Sequence, residues 1–296
     1  MALRQFGNTG LQVSTIGFGA MHFDGADSEA EVGNLLNGVL DAGVNLIDTA
    51  RGYGRSEARI GKHLAHRRGE FVLSTKFGYG VDGVADWTAE CITQGVERAL
   101  GLMRTDHIDI GHLHSCPLHV LQRGEVTQAL ADCVQAGKLR VAAYSGENAE
   151  LAHALADGRF GSVQCSLSLV DLANTEALKA VNGHGVLVKR ALCGMAWQRE
   201  SRPNDHCEGA YFDRWQALQL DKRLPDIGMD WAELSLRFAA FQPAVCSVLL
   251  GTKRLSNLKS AIDAVDKGAL PTALQEKIHA AWRESSGGGA NWPGIV

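Results

Sequence analysis

Short apolar runs rich in Val, Ile and Leu alternate with amphipathic stretches of helical period about eight times along the 296-residue chain. That alternation constrains the fold more than any single motif, because repeated strand–helix units argue for a parallel sheet with helices outside it. The first helix is the clearest. Ser28 and Glu31 have the S-x-x-E spacing of a capping box. Val32, Leu35, Leu36, Val39 and Leu40 then fall on one face, and Gly43 reads as the stop. Strands are expected at 13–18, 44–48, 71–76, 107–114, 139–145, 162–167, 185–192 and 245–250. Helices are expected at 88–103, through Val126, Leu130, Cys133 and Val134, and at 149–157, 174–182, 230–241 and 256–265.

Eight units over this length fit one closed (β/α)8 TIM barrel, which typically uses ~250 residues, better than an open sheet. The rival is a doubly wound dinucleotide fold, which wants G-x-G-x-x-G after its first strand. Residues 17–22 supply the first two glycines and lack the third. Two segments stand outside the repeat: a long connection at 193–229, and an extra C-terminal helix at 272–285 opened by a T-x-x-Q pattern. The chain reads as a single domain over 1–296, with the glycine-rich tail 286–296 as loop or partly disordered.

The net charge of −4 argues against a nucleic-acid partner, whose binding surface would be basic. No apolar run approaches the ~18 residues of a membrane span, and residues 1–9 lack the layout of a signal peptide. Seven cysteines, odd in number and without C-x-x-C spacing, fit reduced thiols better than a disulfide framework or a zinc site. The expectation is a cytoplasmic protein with no membrane and no metal.

Catalytic groups of a parallel barrel collect at the C-terminal ends of its strands. Asp48 ends the second expected strand, Tyr53 lies in the loop after it, Lys76 ends the third, and His112 and His114 lie in the fourth. Singly, each has a structural explanation: the aspartate caps, the tyrosine packs, one histidine sits in the core. The lysine is the least ordinary, since an unpaired buried ammonium is costly. Together they form a coherent set. A tyrosine with the ordinary pKa of ~10 is a poor acid near neutrality, but a lysine ammonium beside it favours the phenolate. An aspartate would keep that lysine charged, and a histidine can hydrogen-bond a carbonyl oxygen or relay a proton. Such a set suits proton donation to an oxygen that gains negative charge, as carbonyl reduction by a hydride-carrying cofactor requires.

With these residues in view, the chain resembles the aldo-keto reductases. Residues 3–14 look like that family's N-terminal hairpin and first strand. Ile47-Asp48-Thr49-Ala50, Tyr53-Gly54 and Ser56-Glu57 are close to its most specific signature, and Ser74-Thr75-Lys76 and Ile108-Asp109-Ile110 through Leu113-His114 match its lysine and histidine motifs. The resemblance spans roughly residues 2–285. It implies Tyr53 as general acid/base, Lys76 and Asp48 as its support, and His114, not His112, as the group that orients substrate. It implies a nicotinamide cofactor, NADP(H) favoured over NAD(H), across the barrel mouth. Its contacts would come from Gly19, Ala20, Ser145, Gln164, Lys189 and Arg190, with a phosphate held at Gly251, Thr252, Lys253 and Arg254 where a helix begins. Lys253 and Arg254 also read as a solvated cationic pair.

The chain departs from the family pattern at three places. Ser145 is followed by Gly146-Glu147-Asn148, not by Asn. Val188-Lys189-Arg190-Ala191-Leu192 lacks the aromatic that many members stack on the nicotinamide, and Asn257 stands near the phosphate-loop arginine of NADPH-preferring members. Substrate contacts are expected from variable mouth loops, at Met21, His22 and Trp87. Trp197, Tyr211, Phe212 and Trp215 of the long connection would either face substrate or fold that loop on itself, the second being favoured. The implied substrate is a small carbonyl compound or alcohol. Two alternatives stay open: a redox-sensing or regulatory barrel with little turnover, and a Schiff-base aldolase using Lys76.

Overall fold

A computed structural model describes residues 1–21 and 28–296. Two short antiparallel strands, β1 (Leu3–Gln5) and β2 (Gln12–Ser14), form an N-terminal hairpin. Eight parallel strands follow: β3 (Ile16–Gly19), β4 (Leu46–Asp48), β5 (Val72–Phe77), β6 (Ile108–His114), β7 (Leu139–Ser145), β8 (Ser162–Ser166), β9 (Gly185–Lys189) and β10 (Ser247–Leu250). They pair in chain order, and β10 closes on β3 through Val248 opposite Ile16 and Leu250 opposite Phe18. This is the closed (β/α)8 barrel expected from the alternation.

Burial follows the two faces of each strand. Leu46, Val72, Ile110, Val141 and Leu187 pack together inside the barrel, where the hairpin adds Phe6, Leu11 and Val13 and plugs one end. Phe6 lies so close to Gly185 that a Cβ there would come within 2.4 Å of its ring. Full burial of a phenylalanine contributes about 1.5–3 kcal/mol, so this contact anchors the plug. Outward residues such as Phe18, Leu73 and Leu113 meet the helices in a second apolar layer.

The helices are α1 (Glu29–Asp41), α2 (Ser56–Leu64), α3 (Ala89–Met103), α4 (Leu118–Arg123), α5 (Glu125–Gln135), α6 (Asn148–Ala156), α7 (Thr175–Leu178), α8 (His206–Leu218), α9 (Leu220–Arg223), α10 (Trp231–Ala240), α11 (Leu255–Asp266) and α12 (Thr272–Ser286). The expected capping box of α1 forms: Ser28 Oγ accepts from the Glu31 amide and Glu31 accepts from the Ser28 amide.

Several expected boundaries are corrected. The run 13–18 is two strands, because the chain changes partners at Thr15: its amide still bonds Ala2 O of the hairpin, while its carbonyl accepts from Val248 of β10 in the barrel. Helix α2, with Ile60 and Leu64 on its buried side, is absent from the expected pattern. The helix expected at 174–182 is the single turn α7, continued to Val181 by tight i→i+3 turns. The run 185–192 ends its strand at Lys189, since Arg190 takes a left-handed φ of 60°. The T-x-x-Q pattern makes no cap: Pro271 precedes α12, and Gln275 donates instead to Leu270 O.

The connection 193–229 carries α8 and α9. Its Trp197 and Trp215 meet edge to face, and Trp215 stands 4.8 Å from Trp231 of α10. After α12 the chain turns back across the barrel. Trp292 packs on Trp282, Asn148 and Gly294 exchange two hydrogen bonds, Arg214 donates to Pro293 O and Arg190 to Ile295 O. Among the described residues no helix is long and apolar enough to cross a membrane.

Candidate active site

The strand ends deliver the site. Inward positions alternate with outward ones, so Asp48 on β4, Ser74 and Lys76 on β5, His112 and His114 on β6, Ser145 on β7 and Gln164 on β8 point into the barrel. Strand register sets their neighbours: Asp48 lies beside Ser74, Lys76 beside His112, His114 beside Ser145, and Ser145 beside Gln164.

Lys76 is 1% exposed and donates to Asp48 Oδ2 at 2.6 Å and to Thr49 O at 2.7 Å. Its ammonium stands 4.9 Å from the centre of the Tyr53 ring. Burial opposes that charge, but Asp48 and Tyr53 outweigh it, so Lys76 titrates above the ordinary lysine value. An ammonium held charged is a poor Schiff-base nucleophile, which argues against the aldolase reading. The other oxygen of Asp48 is also engaged: Ser74 Oγ and Gln164 Nε2 both donate to Oδ1, at 2.7 and 3.0 Å. Ser145 Oγ donates in turn to Gln164 Oε1.

The two histidines have different surroundings. His112 is fully buried against Ser74 at 3.1 Å, and burial pushes its pKa down to about 4. His114 borders the cavity, its ring 6.0 Å from that of Tyr53 and edge-on to it. Burial, then the cations Lys76 and Lys189, lower its pKa to about 2. Both are therefore neutral near pH 7, which makes His114 a hydrogen-bonding group rather than an acid.

A cavity of about 480 Å³ opens over these residues, within the usual size of a small-molecule site. Gly19, Met21, Asp48, Tyr53, His114, Gln164, Lys189, Arg190 and Gly251 line it. Other expected contacts lie elsewhere. Ala20 and Ser145 are buried behind the wall: Ala20 O accepts from Ser56 Oγ, and the Ser145 hydroxyl is spent on Gln164. Trp87 stands outside the lining, edge-on to Tyr79. Thr252 Oγ1 receives the Arg254 amide and Asn257 Nδ2. Lys253 and Arg254 border a separate hollow beside Glu31 and Leu35 of α1. His22 lies outside the described residues.

Tyr211 of α8, expected to help fold the long connection, does more than that: it lines the cavity and reaches Asp171. Two further residues at the site stand outside every motif named from the sequence. Glu147, fully buried, accepts from Ser166, pairs with Lys189 at 2.9 Å and receives Asn174 Nδ2, so it positions the Lys189 ammonium in the cavity wall. Tyr79 bonds His114 at 2.7 Å. An available signal for Tyr79 is its position, three residues beyond Lys76 in a Gly-Tyr-Gly loop at a strand end.

Fold and strand-end geometry thus gather Asp48, Tyr53, Lys76 and His114 at the mouth of a β/α barrel, and comparison with known proteins gives the class, an oxidoreductase. The chain belongs to the aldo/keto reductase family, whose model matches residues 15–283. It is 26% identical over 299 residues to the uncharacterized oxidoreductase YqkF of Bacillus subtilis (strain 168), covering 95% of each chain. It is 25% identical over 280 residues to L-galactose dehydrogenase of Arabidopsis thaliana, covering 89% of this chain and 88% of that one. Among solved structures, the holo form of an aldo-keto reductase from Bacillus halodurans superposes with a TM-score of 0.82 at 24% identity, covering 95% of this chain and 96% of that one.

Proposed function

We propose that this protein is an NAD(P)(H)-dependent oxidoreductase, with NADP(H) favoured, that interconverts an aldehyde, ketone or sugar carbonyl and the corresponding alcohol. The observation that carries this reading is the buried Lys76 ammonium, fixed by Asp48 and set 4.9 Å from the ring of Tyr53 at the cavity floor.

The residues present fit a nicotinamide dinucleotide. The cavity runs from Tyr53 and Gln164 to the Gly251 backbone. Just beyond it α11 begins at Leu255 without a side-chain cap, which leaves amide donors for a phosphate. Gln164, Lys189 and Arg190 would hold the ring end, and Gly251 and Thr252 the phosphate end, with Lys253 and Arg254 beside it. A bound reduced nicotinamide supplies the hydride for the carbonyl carbon. Tyr53 donates its phenolic proton to the carbonyl oxygen as negative charge grows there. Lys76 stabilises the phenolate that remains, and Asp48 keeps the ammonium in place. His114, neutral, hydrogen-bonds the same oxygen and orients it. Every cysteine is a free thiol, and all except the half-buried Cys207 are buried, which supports a reducing, cytoplasmic setting.

Fluorescence titration with NADPH and NADH, followed by a carbonyl screen, tests this reading. Tyr53→Phe is expected to lower kcat by roughly a hundredfold or more, within the range general acid catalysis contributes, while cofactor affinity is unchanged. Near-normal reduction by that variant would remove Tyr53 from the reaction.

A further inference from the structure

Tyr79 sits beside the site and takes none of the roles assigned to its neighbours. Its hydroxyl lies 2.7 Å from His114 Nδ1, and the two rings lie nearly parallel with centroids 5.6 Å apart. The loop is built to keep it there. Trp87 stands edge-on to Tyr79 and donates its backbone N–H to Gly78 O. Gly78 has a φ of 135°, and a Cβ on it would fall within 2.1 Å of the Trp87 ring. Only glycine allows this approach. On the other side, a Cβ at Gly52 would lie 3.0 Å from the Tyr79 hydroxyl oxygen. The phenol is thus confined against His114.

A neutral imidazole has one N–H, and the partner at one nitrogen decides which nitrogen carries it. Tyr79 stays a protonated phenol: burial, then the neighbouring Tyr53, raise its pKa above the ordinary 10.0. A phenol is a good donor and an imidazole nitrogen a good acceptor. The hydroxyl therefore donates to Nδ1, and the ring proton belongs on Nε2. No described residue bonds Nε2, and His114 borders the cavity.

We propose that Tyr79 is a positioning residue that fixes His114 as its Nε2–H tautomer, so that the site always presents a hydrogen-bond donor, never an acceptor, to the substrate oxygen. Without the Tyr79 hydroxyl, either tautomer is allowed, and the acceptor form repels a carbonyl oxygen.

The inference rests on the proposed reduction chemistry, but its test does not need turnover. Long-range proton–nitrogen NMR of the imidazole, with His114→Gln to assign the signals, should show the Nε2–H pattern for His114 in the unmodified protein. In Tyr79→Phe the same ring should shift toward a mixture. In the same variant kcat/KM for a carbonyl substrate should fall about tenfold, with NADPH affinity within twofold. An Nδ1–H pattern in the unmodified protein overturns the proposal, whether or not Tyr79→Phe folds. So does an unshifted Nε2–H pattern in Tyr79→Phe. If the NMR result stands but no carbonyl is reduced, the tautomer assignment survives and the reaction assignment fails.

Discussion

Gln164 Nε2 donates to Asp48 Oδ1 at 3.0 Å across 116 residues of sequence. The bond ties a residue in the cavity wall to the carboxylate that holds Lys76. A change on one side of the barrel is therefore felt at the ammonium on the other, through a carboxylate that Lys76, Ser74 and Gln164 all share.

The two ends of this network should differ in cost. Lys76→Met leaves Asp48 buried and uncompensated, and should lower stability by about 3–5 kcal/mol. Gln164→Leu removes one donor and strands the Ser145 hydroxyl, and should cost about 1–3 kcal/mol. Denaturant unfolding of both variants measures the order. An equal or reversed order would contradict the buried ion pair as the main support of this network.

Burial of neutral His112 should make the fold acid-sensitive. Its pKa is near 4 in the folded protein, against an ordinary 6.5. Between those values the unfolded chain binds a proton that the folded chain does not. Its stabilising contribution is therefore whole above pH 6.5 and lost as pH falls toward 4, at no more than about 1.4 kcal/mol per pH unit. His112→Gln should shrink the stability difference between pH 6.5 and pH 4.5 by about 2 kcal/mol. Denaturant melts at the two pH values check it, and an unchanged difference would assign the acid sensitivity elsewhere.

The tail should govern the mouth. Arg190 and Arg214 donate to Ile295 O and Pro293 O, and Asn148 grips Gly294. Deleting residues 290–296 should raise KM for cofactor or substrate several-fold while kcat changes less, because the tail braces the cavity wall and not Tyr53 or Lys76. Steady-state kinetics separate the two, and a loss confined to kcat would argue against this role.

The barrel was legible because apolar periodicity is a local signal that burial enforces. That Asp48, Lys76, His112 and His114, with the loop carrying Tyr53, share one end of the barrel was legible because strand ends in such a fold face one way, whereas the preference for His114 over His112 came from the family motif alone. Other features were hidden by non-local causes. Lys189 and Arg190 are adjacent in sequence, yet one is bound by Glu147 and the other by Ile295. No spacing rule relates position 190 to position 295. Ser145 and Gln164 were read as cofactor contacts of equal standing, whereas depth in the wall separates them. Helix α7 carried an adequate pattern, but beyond Leu178 its amides tighten onto carbonyls three residues back, as Lys179 does on Glu176 and Val181 on Leu178, and the α-helix ends after one turn.

The hairpin plug has a bearing on how the chain is made. Arg4 donates to Ala240 O and Val245 O, and β3 finds its second neighbour only in β10. During synthesis the hairpin and β3 leave the ribosome long before these partners exist. Closure of this barrel is consequently a late and slow event. Until it happens, β3 offers an open edge to any other strand it meets.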